Sequence, residues 1–75
     1  MIPYKNLWGN SNVVAYQNWA DFIIIQFASW THTIYTYTYS SAWASAIETM
    51  KNLAYNGYWL NSYISTYKPS YISKK

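Results

Sequence analysis

Thr33-Ile34-Tyr35-Thr36-Tyr37-Thr38-Tyr39 is the stretch that decides the fold. Side chains of a β-strand alternate between two faces. A strand here puts Tyr35, Tyr37 and Tyr39 on one side and Ile34, Thr36 and Thr38 on the other. Aromatic and β-branched residues both suit a pleated surface, so the pattern predicts a strand over 33–39. The direction of the tyrosine face sets what the chain can do. Turned inward, it floors a small core; turned outward, it is a stacking platform.

Upstream, residues 22–28 form the strongest strand candidate, with Ile23, Ile25 and Phe27 on one face and Phe22, Ile24 and Gln26 on the other. Two largely apolar faces fit a central strand or a paired edge. Residues 12–17 predict a further strand, joined to it by the short connection 17–21. A second turn at 29–31 leads into the tyrosine strand. Three strands linked by short loops make an antiparallel meander the economical topology. Residues 1–11 contain Pro3, Asn6, Gly9 and Asn10 and read as an irregular arm, which Tyr4, Leu7 and Trp8 would pin to the body.

Downstream the period changes. Ala42, Trp43, Ala46, Ile47, Met50, Leu53 and Ala54 recur at three- and four-residue steps, one face of an amphipathic helix. Ser40 or Ser41 is placed to cap it, Glu48 and Lys51 can pair on its outer side, and Asn56-Gly57 is a natural stop. A second helix is predicted over 58–67, with Trp59, Leu60, Tyr63, Ile64 and Tyr67 on one side; Pro69 ends it. Residues 70–75 read as a frayed tail. The expectation is one α+β domain over 1–75, a three-stranded antiparallel β-meander followed by two helices packed on one sheet face.

Composition narrows the functions. Aromatic residues make up 23% of the chain and charged residues only 9%, the reverse of a disordered segment. A chain this short buries only about 60% of its unfolded surface, so some rings are expected in an exposed patch. The formal net charge of +3 comes entirely from lysine, with no arginine. Lysine meets phosphate as a point charge and lacks the bidentate fork of arginine. Cysteine is absent, which excludes disulfides, thiolate metal sites and a cysteine nucleophile and fits a cytoplasmic protein. No secretory leader is visible, and the longest apolar run, residues 22–25, is far short of a membrane span. Missing arginine and abundant Asn, Ile, Lys and Tyr fit an AT-rich genome, a bias that the tryptophans do not follow.

Catalysis is poorly supplied. Asp21 and Glu48 are the only acids and are expected to lie apart. His32 reads as a solvated histidine at a strand end. One histidine without cysteine cannot build a metal site, and Gly9 and Gly57 make no phosphate loop. The expectation is a protein that is not an enzyme and carries no cofactor. Two readings of the tyrosines stay open. In one, Tyr35, Tyr37 and Tyr39 pack beneath the helices. In the other, some of them stack on bases of single-stranded RNA or on a nucleotide, with Lys51, Lys68, Lys74 and Lys75 near phosphates. Trp19 and Trp30 fall in predicted turns, where they either cap the sheet ends or anchor an interface with a host protein or a second copy.

The motifs together resemble the KTSC domain family, named for a C-terminal domain of some lysyl-tRNA synthetases and found also as small bacterial and phage proteins. The resemblance rests on residues 9–16 (Gly-Asn-Ser-Asn-Val-Val-Ala-Tyr), the Ile23-x-Ile25-x-Phe27 alternation, and Tyr37-x-Tyr39. It continues through Ile47-Glu48-Thr49-Met50-Lys51-Asn52-Leu53-Ala54 and ends with Gly57 and Leu60-Asn61-Ser62-Tyr63-Ile64. It spans about residues 4–72. It implies a compact sheet-plus-helix fold, with RNA binding the usual suggestion. The family tends to have glycine near Trp30, Trp43 and Trp59, and a basic residue where this chain has Ser65-Thr66. The site expected from residues and resemblance together is Tyr35, Tyr37, Tyr39, Lys51, Asn61 and Lys68.

Overall fold

The computed structural model describes residues 1–5, 7, 12–28 and 33–74. The meander forms as expected. β2 (Val13–Asn18), β3 (Phe22–Phe27) and β4 (Thr33–Thr38) are antiparallel neighbours, with Tyr16 opposite Ile25, Ile25 opposite Tyr35, and Ile23 opposite Tyr37. The β2–β3 turn closes through the Trp19 N–H, which donates to the Phe22 carbonyl at 3.0 Å. One extra residue between Val13 and Ala15 makes a bulge, so Val13 faces Phe27 while Ala15 faces Gln26.

Among the described residues the sheet has five strands rather than three, in the order β1 (Ile2–Pro3), β2, β3, β4, β5 (Ser73–Lys74). The arm supplies β1 (Ile2–Pro3) beside β2, and the tail supplies β5 (Ser73–Lys74) beside β4. Both added strands are two residues long. Neither is long enough to show a period in sequence; each exists because a neighbouring strand offers unpaired backbone groups. The arm is pinned by Tyr4, as expected: its side chain is buried and its hydroxyl accepts the Leu60 N–H. Leu7 acts through its backbone, donating to the Gly57 carbonyl at 2.8 Å, while its side chain stays exposed. Trp8 lies outside the described residues.

The tyrosine strand is one residue shorter than predicted. The Thr38 hydroxyl accepts the Ser41 N–H at 3.1 Å, and the Ser41 hydroxyl reaches back to the Thr38 backbone, a capping box. That cap starts α1 (Tyr39–Ala42), so Tyr39 lies on a helix and not on the tyrosine face. The N-cap is Thr38, and Ser41 is its reciprocal partner rather than the cap itself. Trp43 separates α1 from α2 (Ala44–Asn56). Gly57 ends α2 in the left-handed conformation, φ 85°, donating to the Leu53 carbonyl. α3 (Leu60–Tyr67) follows and stops at Lys68, just before Pro69.

Tyr16, Ile23, Ile25 and Tyr37 share one sheet face and meet Ile47, Met50, Ala54 and Leu60 from the helices. These residues form the core, and the helices pack against that face. Ile24, Ile34 and Thr36 project to the other side and are half-buried. No helix among the described residues is long and apolar enough to cross a membrane.

Candidate functional site

The helices do not cover the whole inner face. Near the Phe27–Thr33 end of the β3–β4 pair, Phe27, Tyr35 and Tyr37 face Ile64, Lys68 and Tyr71 across a cleft of about 440 Å³. This size lies within the range of small-molecule pockets. Tyr71 reaches it because the tail is held at two points. The Ser41 hydroxyl donates to the Ser70 carbonyl at 2.8 Å, and the Ile72 N–H donates to the Thr36 carbonyl at 2.8 Å. The expected frayed tail is therefore part of the site.

The rings form a connected set. Phe27 meets Tyr35 edge-on at 5.3 Å between centroids, and Tyr71 meets Tyr35 edge-on at 4.7 Å. Tyr35 and Tyr37 lie nearly parallel, 14° apart at 6.2 Å. Edge-to-face contacts satisfy the ring quadrupoles and fix the orientation of Tyr35. Tyr37 is the buried member, only 2% exposed. Burial, with smaller contributions from Tyr35 and Tyr71, pushes its hydroxyl up to about 12. The hydroxyl, neutral at physiological pH like any tyrosine, keeps its proton further into the alkaline range.

Among the described residues the charge around the cleft is one-sided. Lys68 lines it, and the Lys74 ammonium lies 5.3 Å from the Tyr35 ring centre. A hydrogen bond to the Tyr35 side chain raises the Lys74 pKa. Neither acid of the chain lines the cleft. The Asp21 carbonyl accepts the Tyr39 N–H, and Glu48 is bound elsewhere, as follows.

The six expected site residues divide. Tyr35, Tyr37 and Lys68 come together at the cleft. Tyr39 and Lys51 meet at a different place. The Tyr39 hydroxyl donates to Glu48 at 2.6 Å, and the Lys51 ammonium donates to the same carboxylate oxygen and to the Ala20 carbonyl, each at 2.9 Å. This network fastens α2 to the β2–β3 turn. The bonds from Tyr39 and Lys51 hold the Glu48 carboxyl below its ordinary pKa. Lys51 is therefore a structural tie. Asn61 sits half-buried on α3 and does not line the cleft.

Phe27, Ile64 and Tyr71 were not expected as site residues. Phe27 read as a strand residue and Ile64 as a helix-face residue. For Tyr71 the only signal is a ring placed just beyond Pro69, beside Ile72, in a short tail. Trp19 is exposed at the β2–β3 turn, 69% accessible, so it does not cap the sheet end. Trp30, His32 and Lys75 lie outside the described residues, and no cluster of metal-ligating side chains occurs among those described.

No protein-family model matches this chain, and no curated protein or solved structure matches it significantly.

Proposed function

We propose that the chain is a small non-enzymatic binding module of the KTSC type, whose aromatic cleft receives a base of single-stranded RNA or of a free nucleotide. One observation carries the reading: a cleft walled by Phe27, Tyr35 and Tyr71 holds Lys68, adjoins Lys74, and has no carboxylate among the described residues. Aromatic walls accept the flat face of any base, and base–aromatic stacking is worth about 1–3 kcal/mol. The lysines would meet the attached phosphate as point charges, so affinity would fall as salt rises. Calorimetric titration with a short single-stranded oligoribonucleotide, at low and moderate salt, tests this. The reading expects saturable binding that weakens with salt; heat indistinguishable from dilution at both salts would end it.

A second reading, a self-associating module, draws on Trp19 and its exposed ring. It expects a dimer or larger species in solution that Trp19→Ala reduces to monomer. A monomer at high protein concentration would remove it.

A further inference from the structure

Every tryptophan among the described residues is exposed: Trp19 at 69%, Trp43 at 80% and Trp59 at 54%. Tryptophan is ordinarily among the most deeply buried side chains on average, because its ring supplies so much apolar area. In a chain of this length, tryptophans at the surface forgo that contribution.

Two of the three also stand on backbone that disfavours a side chain. Trp43 has φ 74° and ψ 146°, and Trp59 has φ 69° and ψ 0°. A bulky residue at positive φ is an outlier, and positive φ with extended ψ lies next to a region that glycine alone populates freely. Lys68 is the other described non-glycine residue at positive φ, and it sits in an ordinary left-handed helix end at φ 48° and ψ 57°.

The fold uses the main chain of both positions, and the Trp59 ring also meets the Tyr58 ring edge-on at 5.3 Å. The Trp43 N–H donates to the Tyr39 carbonyl, and its own carbonyl accepts from Ile47. The Trp59 carbonyl accepts from Tyr63. Each precedes a helix, and neither side chain provides a cap hydrogen bond. Glycine serves well before a helix and at positive φ.

Composition bears on the same point. The chain has five tryptophans but two glycines, no arginine, and many Asn, Ile, Lys and Tyr residues, whose codons are rich in A and U. In the standard code tryptophan is UGG and glycine is GGN, both rich in G. UGA is the A/U-richer neighbour of UGG. Where UGA is a sense codon, some genetic codes assign it to tryptophan and others to glycine.

We propose that positions 43 and 59 are encoded by UGA and that the host reads this codon as glycine, so that the native chain carries glycine where the sequence is written with Trp43 and Trp59. Any other tryptophan written from the same codon follows. The inference is independent of the nucleotide-binding reading, because none of the described tryptophans lines the cleft. It bears directly on the self-association reading, which loses its anchor if Trp19 shares the codon.

Two measurements test it. The first is the codon at each position together with peptide mass spectrometry of the protein isolated from its host. The expected result is UGA codons and peptide masses of glycine at 43 and 59; tryptophan at either position overturns the proposal. The second compares recombinant chains by thermal melting: the written sequence, the pair Trp43→Gly and Trp59→Gly, and the pair Trp43→Ala and Trp59→Ala. Alanine removes the ring but keeps the backbone strain. The glycine pair is expected to melt about 5–15 °C above the written sequence and above the alanine pair. A glycine pair that melts no higher than the alanine pair also overturns the proposal.

Discussion

The ring of Tyr71 stands at 89° to that of Tyr35, with centroids 4.7 Å apart. One comes from the tail and the other from the middle of the sheet. Their contact turns the uncovered end of the sheet into a walled cleft. Tyr71 is itself 46% exposed, so it shapes the cleft without belonging to the core. Tyr71→Ala is therefore expected to cost at most about 1 kcal/mol in denaturant unfolding. On the proposed function, the same change weakens nucleotide binding by roughly 5- to 150-fold, the equivalent of one lost stacking contact.

Tyr37 should behave in the opposite way. It is buried against Ile23 and the helices, and Tyr37→Ala opens a cavity expected to cost about 3–5 kcal/mol. The pH dependence has a definite sign. Its hydroxyl titrates near the ordinary value of 10.0 when unfolded and at about 12 when folded. The folded state thus holds its proton more tightly, and the stability linked to it is full below pH 10 and is lost as pH rises toward 12. Melting temperature should fall across that window, and Tyr37→Phe should fall less steeply. The contribution of this one group has a slope of at most about 1.4 kcal/mol per pH unit.

The lysines should separate by place rather than by charge. Lys68→Ala is expected to weaken binding and to reduce the salt slope by about one unit. Lys51→Ala should leave binding and its salt slope unchanged, because Lys51 is committed to Glu48 and the Ala20 carbonyl. Parallel titrations of the two variants at several salt concentrations check this.

Gly57 is fixed by two independent constraints. Its φ is 85°, and a Cβ placed there would lie 2.5 Å from the Lys5 Cβ. Gly57→Ala should therefore strain the α2 end and push the arm away, at a cost of about 1–3 kcal/mol. Faster amide exchange at Leu7, whose N–H bonds to the Gly57 carbonyl, would report the undocking.

Much of this architecture is legible in sequence where a period is long enough to read. The strands of Ile23–Ile25 and Tyr35–Tyr37 and the helix of Ile47–Met50–Ala54 announce themselves by their spacing. The edge strands do not, because two residues carry no period and their pairing is decided by the neighbour. Tyr39 was misplaced because alternation continues through it in sequence, while the Thr38–Ser41 cap has already begun a helix. Three of the six residues expected at a site, Tyr35, Tyr37 and Lys68, lie together at one cleft, and the reason is again distance along the chain. Tyr35 and Tyr37 are two residues apart on one strand, whereas Tyr71 joins them only through the Ser41–Ser70 and Thr36–Ile72 hydrogen bonds. No local pattern carries such a contact.

The most direct test of the cleft is the aromatic proton spectrum of the tyrosines during titration with a single-stranded oligoribonucleotide. Stacking of a base predicts ring-current shifts at Tyr35 and Tyr71 that grow with occupancy, while Tyr39 and Tyr55, which do not line the cleft, stay in place. Saturable binding that shifts Tyr39 or Tyr55 and leaves Tyr35 and Tyr71 unmoved would contradict the assignment of this cleft as the site.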